Sequence, residues 1–392
     1  MFFRFAPTAI LFSQIPSKIS LFGDMVFKKE LRALWNKLTS DITEIPEILK
    51  PSYFPGLDGL RAISIIIVVI SHLFKVGWSK YFDGEMGVEI FFVISGFLIT
   101  TLLLKEKVKF GKVSLKQFYI RRALRIFPVA YLYLFSLLIL TIVFNLNTTL
   151  KMFLSAGAYI VNIPLIHGKN WQTAHFWSLS VEEQFYLIFP FFLIRNPNRF
   201  LIFIATFLLV LPLIVLVGIL PLNFYNSHLF IHKFIRLFAF LFALGTASIL
   251  IGAAISILLF KEVIILKWPS IYFLSFFIFV LAIVIRYQDF LNDYVREYIF
   301  ALLIGYTIIL NLKKDNFFSV ILNHPLMIKL GVLSYSIYVW QQLFTNEQPW
   351  SGQFKYSDNI LLNLFVLFIV AYCSYNFYER KFLKLKRRYT TV

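Results

Sequence analysis

Long runs of apolar residues, separated by short polar segments, make up most of this 392-residue chain. About 20 consecutive apolar residues in a helix cross the hydrocarbon core of a bilayer, and most of these runs approach that length. The pattern therefore predicts an all-α, polytopic membrane protein rather than a water-soluble protein with buried helices. The runs lie near residues 57–74, 88–104, 126–144, 152–166, 176–194, 200–220, 234–260, 268–285, 297–312, 328–345 and 359–378.

One of these runs, 152–166, is short and contains Pro164, so we interpret it as a re-entrant or external segment. The other runs predict a bundle of about ten transmembrane helices. An even number of crossings places both termini on one side of the membrane, and both terminal segments are basic. The positive-inside rule then predicts a multi-pass protein of the cell inner (plasma) membrane with both termini cytoplasmic.

The same reasoning divides the chain into three parts. A basic cytoplasmic or interfacial segment is predicted over 1–55, a transmembrane domain over 56–380 and a basic cytoplasmic tail over 381–392. Residues 26–50 resemble a basic amphipathic helix that lies on the membrane surface.

Composition removes several other function classes. Charged residues are 15% of the chain and its net charge is +18. Because the cations cluster between apolar runs, we interpret them as contacts with lipid headgroups. The lipid bilayer is therefore a predicted partner, and no nucleic acid is predicted to bind. Cys373 is the only cysteine, which excludes a disulfide framework. His228 and His232 are spaced like a metal pair, but no third ligand is evident and no metal site is predicted.

The first apolar run carries three ionisable residues on one side. Asp58 and Arg61 are three residues apart, and the eleven residues from Arg61 to His72 correspond to three turns plus about 20°. A charged side chain near the bilayer centre costs about 2.5–3.5 kcal/mol on insertion scales. This stripe should therefore face a protein interior or a water-filled cavity, with Arg61 nearer the cytoplasm and His72 about 16 Å farther along the helix axis.

Three other polar sets accompany this stripe. On the predicted topology, two of them lie toward the outer half of the bundle, and the third begins a helix on the cytoplasmic side. The sets are His175, Ser178, Glu182 and Glu183; Tyr338, Trp340 and Gln341; and Arg121, Arg122 and Arg125. A histidine near a carboxylate suits a general base or nucleophile acting on a hydroxyl, whereas clustered arginines suit phosphate.

Each set also has a plainer interpretation that the residues leave open. His72 could be a core histidine bonded to a backbone carbonyl, and Arg61 could extend to the headgroups. The three arginines could anchor a cytoplasmic loop, a role that does not exclude phosphate binding. The two adjacent glutamates could be a solvated helix end.

Six motifs, in order along most of the chain, resemble the integral-membrane acyltransferase 3 family, which O-acylates cell-surface sugars. The motifs are GLDGLRAISIIIVVISHL from Gly56, GVEIFFVISGFLIT (87–100), FYIRRALRIFPVAYLYL (118–134), HFWSLSVEEQFYLIFP (175–190), LSYSIYVWQQ (333–342) and YNFYERKFLKLKRR (375–388).

The resemblance implies roughly ten helices, a cytoplasmic acyl-CoA donor (usually acetyl-CoA) and a polysaccharide or glycolipid acceptor on the far side. It assigns His72 as the catalytic residue and Arg61 as its functional partner, with the basic loop as a donor contact. The sequence departs from the family where Gln341 replaces a common histidine and Ala239 replaces a common acidic residue. Since glutamine cannot act as a base, Gln341 is expected to bind or orient a substrate.

We therefore expect a membrane O-acyltransferase with no bound cofactor and acyl-CoA as co-substrate. The expected acceptor is a surface polysaccharide or glycolipid, such as lipopolysaccharide O-antigen or exopolysaccharide. His72, Arg61 and Glu182 are the expected catalytic residues, with Glu182 charging or orienting the imidazole. The other residues of the polar sets, together with Asp58, are expected to bind substrates. The alternative is a transporter that uses Arg61, His72 and Glu182 as a proton or ion relay.

Overall fold

The fold is a bundle of helices. The computed structural model describes residues 29–73, 83–163, 170–219, 245–264, 271–288, 293–313 and 315–389. Within those ranges the α-helices are α1 (29–39), α2 (Pro55–Leu73), α3 (Gly84–Phe110), α4 (Leu115–Phe144), α5 (Leu150–Gly157), α6 (Trp171–Ala174), α7 (Phe176–Arg195), α8 (Pro197–Ile219), α9 (Thr246–Phe260), α10 (Leu274–Arg286), α11 (Asp293–Asn311), α12 (Phe317–Leu322), α13 (Pro325–Trp340), α14 (Gln342–Thr345), α15 (Ile360–Cys373) and α16 (Arg380–Arg387). A 3₁₀ turn (Glu47–Leu49) precedes α2, and a π-helix (Ser374–Glu379) joins α15 to α16. The prediction of an all-α fold is therefore confirmed for the described residues.

Five helical segments are long and apolar enough to cross a membrane: Pro55–Leu73, Gly84–Phe110, Leu115–Phe144, Val295–Leu312 and Ile360–Arg387. Four shorter apolar helices accompany them: Pro197–Val210, Thr246–Phe260, Leu274–Arg286 and Pro325–Trp340. The membrane character of the chain follows from these helices, whereas the count of ten crossings stays a prediction.

The weak run near 152–166 overlaps α5, which has eight residues and begins at Leu150. At 1.5 Å per residue α5 is about 12 Å long, well short of the roughly 30 Å hydrocarbon core. Its re-entrant or external placement stays a prediction. His228, His232 and Ala239 lie outside the described residues, as do parts of several predicted runs and of the terminal segments.

Backbone-to-backbone packing joins α3 to α9. A Cβ atom at Gly252 would lie 2.1 Å from the carbonyl oxygen of Val93, and one at Gly96 would lie 1.9 Å from that of Ile249. Close approach through glycine is typical of helix contacts in membranes, where van der Waals packing drives association. Any larger residue at either position must therefore push the two helices apart.

The substitution Gly252→Val is expected to destabilise the protein, because a carbonyl oxygen occupies the space of the new Cβ atom. Overpacking of this kind costs about 1–3 kcal/mol. The midpoint of thermal unfolding in detergent measures the loss. The matched control is Gly157→Ala, where the nearest atom to the new Cβ is a tyrosine ring carbon at 3.7 Å. An equal midpoint for both variants would contradict the packing argument.

Hydrogen bonds gather the described terminal regions at one end of the bundle, here called the basic end. The N-terminal region, the α3–α4 connection and the C-terminal tail meet there. The bonds run from Lys37 Nζ to the Glu262 carbonyl (2.9 Å), from Lys105 Nζ to the Pro51 carbonyl (2.7 Å) and from an Arg121 guanidinium nitrogen to the Tyr389 carbonyl (2.8 Å). Both described terminal regions therefore lie at one end of the bundle, while its orientation in the membrane stays a prediction.

Candidate active site

A cavity opens near the basic end, and we call it the mouth cavity. Its charged lining residues are four cations and two carboxylates: Arg61, Arg122, Arg125, Lys386, Asp58 and Glu379. A concave surface with an excess of positive charge concentrates anions. The mouth cavity is therefore suited to a negatively charged ligand.

The predicted stripe on α2 supplies one side of the mouth cavity. Asp58 is buried and its carboxylate lies 2.9 Å from a guanidinium nitrogen of Arg61. Tyr53 Oη donates a hydrogen bond of 2.7 Å to the other carboxylate oxygen. Burial, followed by the neighbouring Asp58 carboxylate, raises the pKa of Tyr53, so its hydroxyl keeps its proton. These contacts fix Arg61 at the cavity wall with its charge partly balanced.

A second cavity, the deep pocket, adjoins the mouth cavity. The two cavities have six lining residues in common: Arg61, Ser95, Arg122, Arg125, Tyr186 and Tyr335. Beyond them the wall of the deep pocket is mostly apolar and includes Val88, Phe91 and Leu179. A charged opening thus continues into a mainly apolar interior.

Glu182 lies on the wall of the deep pocket and is bonded within it. One carboxylate oxygen accepts hydrogen bonds from Ser95 Oγ, at 2.6 Å, and from Tyr186 Oη. The Arg122 guanidinium lies over the Tyr186 ring, 4.7 Å from its centroid. These hydrogen bonds connect Glu182 to Ser95 and Tyr186, and the expectation that it orients His72 stays a prediction.

The imidazole of His72 is held instead by Gln341. Its Nδ1 atom lies 2.9 Å from Gln341 Oε1, and its ring packs edge-on against Trp171 at 5.2 Å between centroids. A Cβ atom at Gly84, the first residue of α3, would lie 3.6 Å from Nε2. Val88 of the deep pocket follows Gly84 by four residues, about 6 Å along the helix. The imidazole is therefore about one helical turn beyond the described pocket wall.

Some of the other predicted residues line the deep pocket, and others are packed in the protein interior. Ser178 and Tyr338 line the deep pocket, and their hydroxyl oxygens are 2.5 Å apart. His175 and Trp340 are buried and pack edge-on against the Tyr133 ring. Like Glu183, which follows Glu182, they line neither described cavity. The structure therefore gives His175 and Trp340 packing contacts rather than a position on either cavity wall.

Of the three predicted arginines, Arg122 and Arg125 line both cavities, whereas Arg121 lines neither. The guanidinium of Arg121 lies 2.7 Å from a carboxylate oxygen of the buried Glu106 and also bonds the Tyr389 carbonyl. The structure therefore pairs Arg121 with a buried carboxylate and the tail backbone, and the expectation that it binds substrate phosphate stays a prediction.

The sequence analysis did not predict several of the residues that line the two cavities. Tyr186 follows Glu182 by four residues, so helical spacing alone places both on one face. Ser95, Glu379 and Lys386 gave no local signal, because only tertiary packing brings them to the cavities. Among the described residues no group of three or more His, Cys, Asp or Glu residues is arranged to hold a metal ion.

Comparison with known proteins adds independent findings. A family model described as an acyltransferase domain matches residues 54–379. The chain is 29% identical over 372 residues to the O-acetyltransferase OatA of Staphylococcus aureus strain NCTC 8325 / PS 47, covering 87% of this chain and 59% of that protein. The OatA of strain COL matches to the same extent.

A further protein of S. aureus strain COL, provisionally named an O-acetyltransferase, is 30% identical over 371 residues, covering 86% of this chain and 58% of that protein. The chain thus spans less than two thirds of the length of these relatives. No solved structure gives a significant match. The motifs, the helical bundle and the match across residues 54–379 lead to one conclusion: this chain belongs to the acyltransferase 3 family.

Proposed function

We propose that the protein is a membrane-embedded O-acyltransferase that moves an acetyl group from cytoplasmic acetyl-CoA to a hydroxyl of an extracytoplasmic polysaccharide or glycolipid. The observation that carries the proposal is the pair of adjoining cavities, which lead from the arginines at the basic end to within about one helical turn of His72. Family membership and relatives named O-acetyltransferases support the same reaction class.

The donor enters at the basic end in this proposal. Within the described residues, neither Arg122 nor Arg125 has a carboxylate recorded at salt-bridge distance, so both guanidinium groups are open to phosphate oxygens. Arginine binds phosphate through paired hydrogen bonds and stays charged. The narrow pantetheine arm of the donor then extends along the deep pocket, whose apolar wall suits an uncharged chain. This arrangement directs the thioester toward the imidazole.

His72 serves as the proton-transfer group. The imidazole takes the proton of the acceptor hydroxyl, the hydroxyl oxygen bonds to the acyl carbon, and the carbon–sulfur bond breaks. The proton then passes to the departing thiolate, so the products are an ester and free CoA. In a two-step version the imidazole nitrogen first bonds to the acyl carbon and the carbon–sulfur bond breaks. The acceptor hydroxyl oxygen then bonds to the acyl carbon, the nitrogen–carbon bond breaks, and the hydroxyl proton passes to the thiolate, so the products are the same. Both versions use the same lone pair.

The acceptor and the location follow from the predicted topology. His72 lies toward the end opposite the basic end, so an acceptor reaches it from outside the cytoplasm. Lipopolysaccharide O-antigen or an exopolysaccharide has suitable hydroxyls. In this arrangement the protein lies in the cell inner membrane with both termini cytoplasmic.

Family membership and relatives named O-acetyltransferases favour this reaction over a transporter. Arg61 pairs with Asp58, Glu182 with Ser95 and His72 with Gln341. Within the described residues, these bonds do not connect the arginine, the glutamate and the histidine into one chain that could relay a proton.

Reconstitution tests the proposed function. Purified protein in liposomes with isotopically labelled acetyl-CoA and cell-envelope glycan is expected to release CoA thiol and to place label on the glycan. Mass spectrometry of the glycan identifies the acetylated sugar. The control replaces the donor with free labelled acetate, which has no thioester to cleave. Folded protein that transfers no label to any envelope glycan would contradict the proposal.

A further inference from the structure

A chain of side-chain amides runs from His72 to the backbone of α6. His72 Nδ1 lies 2.9 Å from Gln341 Oε1, and Gln341 Nε2 donates to Gln342 Oε1 at 2.7 Å. Gln342 Nε2 in turn donates to the carbonyl of Trp171 at 2.8 Å. The indole nitrogen of Trp171 donates to the Gln342 backbone carbonyl at 2.9 Å, so two hydrogen bonds between Trp171 and Gln342 join α6 to α14.

The chain has one direction because its last member is a backbone carbonyl, which can only accept. The Gln342 amide must therefore present its NH₂ group to Trp171 and its oxygen to Gln341. The Gln341 amide must present its NH₂ group to Gln342, which leaves its oxygen facing His72. An amide oxygen can only accept, so the hydrogen between Gln341 and His72 belongs to Nδ1.

Burial keeps this direction fixed. Gln341 is 0% exposed and Gln342 is 1% exposed. With water excluded, a reversed amide would place donors against donors, and an unsatisfied buried polar group is expensive. Thr345 Oγ1 donates its single hydrogen to the nearer Gln341 backbone carbonyl, at 3.0 Å, and lies 3.3 Å from the side-chain oxygen.

We infer that Gln341 and Gln342 are positioning residues that hold His72 in the Nδ1–H tautomer and so make Nε2 the reacting nitrogen. Nε2 is the atom beside Gly84, on the helix that continues to the deep pocket. With the hydrogen on Nδ1, the lone pair of Nε2 is available to take the hydroxyl proton or to attack the acyl carbon. The inference rests on the proposed function and replaces the expectation that Gln341 contacts a substrate.

Two substitutions at one position separate hydrogen bonding from shape. Gln341→Leu keeps the approximate volume of the side chain but removes the acceptor for Nδ1–H. We expect its kcat to fall by about 100-fold, which is within the range that general acid–base catalysis contributes. The KM for the donor should stay nearly unchanged. Gln341→Glu, as a buried neutral acid, keeps an acceptor oxygen toward His72 and can donate its O–H to Gln342 Oε1, so we expect it to retain activity within about tenfold of the wild type. Gln348→Leu is the control, because within the described residues the Gln348 side chain donates to backbone carbonyls of α14 and does not contact His72.

A spectroscopic measurement reports the tautomer without relying on activity. Nitrogen-15 chemical shifts of labelled histidine distinguish protonated from unprotonated ring nitrogens, and the His72→Ala spectrum assigns the signal among the six histidines. We expect a protonated Nδ1 and a bare Nε2 in the wild type and a mixture in Gln341→Leu.

A wild-type signal with the proton on Nε2 would overturn the inference, as would full activity of Gln341→Leu. Equal losses in folded Leu and Glu variants would also overturn it, because they would indicate a role in shape alone. If Gln341→Leu does not fold, the wild-type spectrum and the Glu variant still decide the question. Failure of the proposed function would appear differently, as a wild-type protein that transfers no acetyl group while its tautomer is still measurable.

Discussion

His72→Ala is expected to lower the rate of acetyl transfer by about 1000-fold or more, because general acid–base catalysis alone contributes about 10²–10⁴-fold. The substitution removes the only imidazole that lies beside Gly84 near the end of the deep pocket within the described residues. Binding of the donor should persist, because His72 lines neither cavity. Single-turnover transfer of labelled acetyl in liposomes measures the rate, and equilibrium binding of acetyl-CoA measures the retained affinity.

His324→Ala is the matched control for this experiment. His324 is exposed before α13, and its ring accepts a hydrogen bond from the Leu326 amide at 3.3 Å. Loss of this cap costs about 0.5–2 kcal/mol of stability and leaves the cavities intact. A His72→Ala protein that transfers acetyl at the wild-type rate would exclude both the direct and the two-step versions of the proposed reaction.

Removal of both cavity-lining arginines is expected to have the second-largest effect. A hydrogen bond to a charged group contributes about 1.5–3 kcal/mol, so Arg122→Ala and Arg125→Ala should each raise the KM for acetyl-CoA by about 10–150-fold. The double variant should exceed either single one. Initial rates at varied acetyl-CoA concentration give the KM values.

A donor that lacks phosphate groups tests whether Arg122 and Arg125 bind the phosphates of acetyl-CoA. Acetyl-pantetheine has the same thioester without phosphate groups, so its KM should change little in the two variants. Arg387→Ala is the control, because Arg387 is exposed in α16 at the same end and lines neither cavity. Equal losses with both donors would indicate damage to the cavity rather than loss of phosphate contacts.

Local spacing was sufficient to predict the α2 stripe. Asp58 and Arg61 form an ion pair as their three-residue separation suggests, and both line the mouth cavity, whereas His72 lies farther along α2 against Gln341 and Trp171. The apolar pattern also predicted the helical fold, because each helix must present mainly apolar residues to lipid whatever its neighbours are.

Tertiary packing determined what spacing could not. His72 and Gln341 are 269 residues apart, and no period in the sequence links them. Arg121 and Arg122 have the same charge and adjacent positions, yet Glu106 from the preceding helix pairs only with Arg121. The sequence alone does not predict which arginine pairs with Glu106, because the choice depends on how α3 and α4 pack together.

The glycine contact between α3 and α9 determines the position of α3 relative to the imidazole of His72. Gly96 lies twelve residues from Gly84, so about 18 Å of α3 extends from the contact to the imidazole. Over that length, a tilt of about 3° moves Gly84 by about 1 Å, a displacement that can reduce an enzymatic rate by about 100-fold. In the proposed reaction, a larger residue at Gly96 or Gly252 is therefore expected to lower the rate by shifting α3 relative to His72.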